Sequence, residues 1–236
     1  MRKKHIFGAF VIMLLWTSNV CSQNNMAIPD ISAIPISSWQ GMMNLLGDEQ
    51  KAFIRDNLLV APSVYDNNNN HPGSFIITPN PAPDTQSGVE CAACSSAYLL
   101  RFYGAEANGV EMYHNPTFPC KHKGGAFPRC FRILFEQQLD GYTAEYYTGT
   151  TEDLRDAVSK GVPVIVLLLY NGNSLHYVPV VGYDDTYFYI QDSVDKYRNV
   201  TDNDDYNEKL DIATFDAMWN IPFDPCRRLF VLVHKK

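Results

Sequence analysis

The stretch SGVECAACSSAYLLRFYG, residues 87–104, places two cysteines three positions apart at the start of a helical pattern. Cys91, Cys94, Ser95, Tyr98 and Phe102 recur at helical spacing, and Gly104 is a fitting stop. The first half of the stretch is small: Ala92, Ala93, Ser95, Ser96 and Ala97. Other elements can approach such a helix closely on several sides, so a central, buried helix is expected with Cys91 at its beginning. The cysteine pair could be half of a zinc site, a redox couple, or one nucleophile with a neighbour.

Downstream, FPRCFRILFEQQL (127–139) reads as a second helix. TTEDLRDAVSKG (150–161) reads as a third, with Thr150 or Thr151 as its cap, early acids and Gly161 as its stop. The period then changes. VPVIVLLLY (162–170) is β-branched and apolar, as in a buried strand, and NGN (171–173) is a turn. LHYVPVVGYD (175–184), TYFYIQDS (186–193) and LFVLV (229–233) are further strands. Helices first and an antiparallel sheet second argue for an α+β fold with helices packed on one side of the sheet. Upstream, a helix is expected over about 38–58, and YDNNNNHPGSFIITPNPAPDTQSG (65–88) is loop with a short strand at SFII.

A structural zinc site needs four ligands, commonly in two close pairs, but Cys120 and Cys130 are ten positions apart. A redox pair of the thioredoxin type needs a strand running directly into the cysteines, and residues 81–90, PAPDTQSGVE, are loop. A nucleophile remains. A helix start favours negative charge on a thiol, and a thiolate needs a histidine to handle protons and a group to orient that histidine. His71, His114, His122 and His234 fall in loops or near the end of the chain. His176 opens a strand between apolar neighbours, and Asp192 closes the next strand, so the two are expected side by side across the hairpin. Glu90 would put a negative charge beside the thiol unless it points to solvent.

With these residues the sequence resembles the bacteriocin-leader-processing peptidases and their secreted relatives, a branch of the papain-like cysteine peptidases. The resemblance rests on Gln86, Cys91 and FYG (102–104), then GVPVIV (161–166), HYVPVVGYD (176–184) and IQDS (190–193). FDAMW (215–219) before LFVLV (229–233) continues it, so it spans about residues 86–233. It implies a papain-like fold whose catalytic helix packs on an antiparallel sheet. It implies Cys91 as nucleophile, His176 as base and then acid, Asp192 holding the imidazole, and Gln86 donating to the oxyanion. It implies a peptide or protein substrate and no cofactor or metal. Cys91 fits better than Cys94, because the count from Cys91 to Gly104 agrees with the family. Two positions depart from its pattern: Ala92 replaces a glycine, and Gln86 sits one residue closer to the cysteine. A thiol–disulfide oxidoreductase using Cys91 and Cys94, acyl transfer to an amine, and a binding protein on the same fold stay open.

The 236 residues, 46% hydrophobic and 19% charged, suffice for one sizeable core. The beginning differs: MRKK, then the apolar run IFGAFVIMLLW (6–16), then TSNVCSQ, the build of an export signal ending near Ser22. Lipidation of Cys21 is the rival reading. Without residues 1–22 the 19 basic residues fall to 16 against 26 acids, a balance that argues against nucleic-acid binding. No later segment is long and apolar enough to span a membrane. The expected organisation is a signal over 1–22, a helical and loop extension over 23–85 and a peptidase domain over 86–236. Export permits disulfides among the five remaining cysteines, and Cys120–Cys130 is expected, with Cys94–Cys226 second.

Overall fold

The computed structural model describes residues 62–236 apart from 68–69, 120, 123–124, 173 and 223–225. The expected signal segment, the helix over about 38–58 and Cys120 lie outside the described residues. The first strands are β1 (Ser63–Val64) and β2 (Phe75–Ile76). The helix at the cysteines, α1, covers Cys91–Phe102, and every residue from Cys91 to Leu100 is buried. Its small side chains make this possible. A Cβ on Gly109 would lie 2.4 Å from the Cα of Cys94, so the next helix, α2 (Gly109–His114), packs backbone to backbone on α1. Asn108 caps α2 by accepting from the N–H of Glu111.

The chain continues through β3 (Lys121–His122), β4 (Gly125–Ala126), α3 (Cys130–Gln138) and β5 (Tyr142–Thr148). Helix α4 (Thr151–Ser159) carries a full capping box between Thr150 and Asp153. Strands β6 (Val164–Tyr170), β7 (Ser174–Tyr183), β8 (Tyr187–Ile190) and β9 (Glu208–Asp211) follow, then α5 (Ile212–Trp219) and β10 (Leu229–Lys235). A large sheet runs β1-β5-β10-β6-β7-β8-β9, with β2 also on β7. The β1–β5 pairing is parallel and the other pairings of this sheet are antiparallel.

The sheet is covered on both faces rather than one. In β6, Ile165 and Leu167 join α1–α3 side chains such as Tyr98, Leu99, Phe131 and Leu134. Val164, Val166, Leu168 and Tyr170 join Leu154 and Val158 of α4 and Phe215 and Trp219 of α5. Alternate residues thus feed two cores, which is why the strand reads as an unbroken apolar run. Tyr65 and Ile77 belong to the second core, so packing extends upstream of residue 86. No helix among the described residues is long and apolar enough to cross a membrane.

Candidate active site

Three elements converge at the start of α1. Ser95, one turn along from Cys91, donates its hydroxyl to the main-chain oxygen of Tyr177 at 3.0 Å. This ties the first turn of α1 to β7 beside His176. In the β6–β7 hairpin Leu168 pairs with His176, and Val180 of β7 pairs with Ile190 of β8. Strand β8 therefore delivers Asp192, just past its end, next to the start of β7.

The imidazole of His176 directs Nε2 at both carboxylate oxygens of Asp192, at 3.0 and 3.1 Å. Cys91 is the other side chain that acts on the ring, and Nδ1 is the nitrogen that Asp192 leaves open to it. Burial alone would push the His176 pKa down. Hydrogen bonds to Asp192 and Cys91, and their charges, instead lift it to about 10. The ring is flanked edge-on by Tyr170, with centroids 5.4 Å apart, and lies 5.9 Å from Tyr197. Asp192 is held from several sides. Its Oδ1 accepts from the N–H of Val194, its own N–H donates to Asn207, and its carbonyl accepts from Arg198 and Asn207.

Gln86 lies on the loop ahead of α1, tied to the segment after Asp192. Its Nε2 donates to the Gly88 carbonyl at 2.7 Å, and its Oε1 accepts from Ser193 at 2.6 Å. Its main-chain N–H donates to the Ser193 carbonyl at 2.8 Å. The side-chain amide thus braces the loop and keeps one N–H beyond the Gly88 bond. Glu90 does not point to solvent: it is buried, accepts from the N–H of Gly88 and pairs with His114 at 3.4 Å. The same loop is clamped by Asp84, which accepts from Arg101 at 3.1 Å and from the N–H of Gly109 at 3.0 Å.

The second cysteine has a different setting. Cys94 is a free thiol, so the expected Cys94–Cys226 bridge is not made. Its sulfur faces Gly109 of α2, where an added Cβ would stand 2.9 Å away. Cys226 instead packs in the core near Tyr177. Burial, followed by the charges of Asp84, Cys91 and Glu90, drives the Cys94 pKa well above the thiol range. A sulfur so placed is a poor redox partner for Cys91. The expected Cys120–Cys130 bridge involves a residue outside the described ones. Among the described residues no group of three or more His, Cys, Asp or Glu side chains could hold a metal.

Two contributors escaped the sequence reading. The hydroxyl of Tyr170 lies 2.9 Å from Glu208 and 3.3 Å from Asp192, behind the imidazole. One signal for Tyr170 existed: a phenol ending an otherwise aliphatic strand. Glu208 sits in NDDYNEKLD (203–211), which reads as a charged surface run.

A model of the Peptidase_C39 like family matches residues 65–221. The fold is similar to that of the peptidase domain of Streptococcus ComA, a bifunctional ABC transporter involved in a quorum-sensing pathway. There the identity is 15%, with 66% of this chain and 98% of that chain covered at a TM-score of 0.50. It is also similar to a C39-like peptidase from Bacillus anthracis, at 17% identity, 69% and 98% coverage and a TM-score of 0.51. Procathepsin B S9 from Trypanosoma congolense shares the fold at 13% identity, 76% and 86% coverage and a TM-score of 0.51. No curated protein matches significantly.

Proposed function

Since the chain belongs to the Peptidase_C39 like family, we propose that it hydrolyses peptide bonds through an acyl-enzyme on Cys91, with His176, Asp192 and Gln86 completing the site. One observation carries this reading: His176 holds Asp192 through Nε2 and has Cys91 as the other side chain acting on its ring. The proton of the thiol passes to the imidazole, and the sulfur attacks the scissile carbonyl. The oxyanion that forms takes hydrogen bonds from the main-chain N–H of Cys91, at the helix start, and from the remaining N–H of Gln86. The imidazolium then protonates the leaving amine as the C–N bond breaks. Water attacks the thioester with His176 as base, which releases the carboxylic acid and restores the thiol. Asp192 fixes the ring with Nδ1 toward sulfur throughout. Cys91 keeps 8% of its surface exposed against 2% for Cys94, so it is the less enclosed of the two thiols.

The substrate is a peptide or protein, and nucleic acid is not expected to bind. Residues 1–22, with a basic start and an apolar run, support export, and a mature chain recovered outside the cytoplasm should begin near Gln23.

The test uses fluorescently labelled casein as substrate and iodoacetamide as a thiol probe. Wild-type protein should release labelled peptides, and iodoacetamide should modify Cys91 first and stop that release. Cys91→Ala should release none. Gln86→Ala should be slower by about a hundredfold if it supplies one oxyanion donor. Full activity in Cys91→Ala would refute the nucleophile. A reversible Cys91–Cys94 disulfide would favour the oxidoreductase, and an inert Cys91 the binding protein.

A further inference from the structure

Behind the His176–Asp192 pair lies a second acid. Glu208 opens β9 opposite Ile190, two residues before Asp192. Glu208 is 2% exposed and Asp192 0%, and both carboxyl groups reach the same Tyr170 hydroxyl. Tyr170 spans the two, with its hydroxyl 2.9 Å from Oε2 of Glu208 and 3.3 Å from Oδ2 of Asp192. Among the described residues no lysine or arginine side chain pairs with either carboxylate. The nearest, Arg198, spends its Nε on the Asp192 carbonyl and Nη1 on Asp195. Two carboxylates bridged by one hydroxyl in a dry site cannot both be ionised, so they share one proton.

Counting donors places that proton. Asp192 receives the Nε2–H of His176 and the N–H of Val194, both aimed at its oxygens. Glu208 receives the Tyr170 hydroxyl. Glu208, with fewer donors, keeps the proton.

We propose that Glu208, as a neutral carboxylic acid, and Tyr170 are positioning residues that hold Asp192 against His176 through the hydrogen-bond chain Tyr170 to Glu208 to Asp192. The inference rests on the reading that His176 and Asp192 serve Cys91. Tyr170 is itself fixed by stacking on Tyr197, with centroids 4.1 Å apart. The groups facing Glu208 are Asp192, Tyr170 and His176, with Cys91 beyond the imidazole and Arg198 beyond the Asp192 main chain. Burial, then the charge of Asp192, lifts the Glu208 pKa to about 8, against the pull of Tyr170 and His176. Above that pH a second negative charge stands behind Asp192 and helps His176 keep its proton.

Three variants test this on the whole mature chain, with iodoacetate and iodoacetamide as probes. The anionic reagent is drawn by the imidazolium and the neutral one is not, so the ratio of their rates at Cys91 follows the charge on His176. Glu208→Gln can still donate to Asp192 and accept from Tyr170 but cannot ionise. Its ratio should therefore fall at a pH lower by about half a unit or more than in wild type. Tyr170→Phe removes a hydrogen bond that favours the ionised acid, so it should shift the ratio the same way by less. Glu208→Leu loses the hydrogen bond and should cut the rate of casein release about tenfold with KM unchanged. Glu208→Gln should recover most of that loss. Wild-type ratios in Glu208→Gln across the whole alkaline range would overturn the inference and leave the peptidase reading intact. That outcome decides even if Glu208→Leu fails to fold. A wild-type Cys91 no faster than free cysteine with either reagent would overturn both.

Discussion

His176 is a buried imidazole that keeps its proton far into the alkaline range, with a pKa near 10 set by Asp192 and Cys91 against burial. Its ordinary value, about 6.5, is what it regains on unfolding. The stabilisation is therefore complete below about pH 6.5 and is lost as the pH rises toward 10. Asp192→Asn removes the negative charge but keeps an oxygen for Nε2. It should lower the melting temperature most near pH 6, and the gap should close as pH rises through about 10. Glu208 adds to this trend: raised to about 8, it too favours the folded state less as pH climbs from its ordinary value of about 4.3. A gap that widens with pH would contradict the assigned partners. In turnover Asp192→Asn should suffer less than His176→Ala, because an amide still orients a ring. Gln86→Ala has a structural side that a loop residue does not announce. It frees the Ser193 hydroxyl and the Gly88 carbonyl, so a small drop in melting temperature should accompany the slower turnover.

At the scale of elements, the approach of α2 to α1 decides how firmly the nucleophile is seated. Gly109→Ala would set a Cβ 2.4 Å from the Cα of Cys94, and backbone cannot yield as a side chain tip can. The helices must part, at a cost of about 1–3 kcal/mol. Calorimetry should show the loss, and iodoacetamide should modify Cys91 more slowly because the first turn of α1 shifts. The elements that sequence made legible carry strong local signals. These are the small-residue helix α1, the Thr150–Asp153 cap of α4, and the apolar strands β6–β8. Strand β5 was not legible. Its polar Thr143 and Glu145 alternate with Ala144 and Tyr146, and its seven residues sit between two helices where a connector is expected. Helix α2 is too short to show a period, and β9 is a strand only because β8 pairs with it. The meeting of His176 and Asp192 was legible because each stands close to the end of a strand in one hairpin. That of Tyr170 and Glu208 was not, since it depends on a register spanning three strand pairings.

At the scale of the molecule, the change from helical to strand periodicity pointed to α+β, but chain order hid how the sheet is closed. Strand β10, the last in sequence among those described, does not sit at an edge. It lies between β5 and β6, paired with β5 from Leu229 to Lys235 and with β6 at Phe230 and Val231. Its side chains serve both cores, Val231 and Val233 on one face and Phe230 on the other. Removing residues 229–236 should therefore leave no cooperative melting transition and a chain that trypsin degrades throughout. A folded, protease-resistant remnant would contradict this. The same placement sets a clock on synthesis. Until residues 229–235 have left the ribosome, β5 and β6 have no common neighbour and neither core can close. A nascent chain stays open and pliable up to that moment, however early α1 has been made, and the cleft at its start takes shape only once β10 slots in.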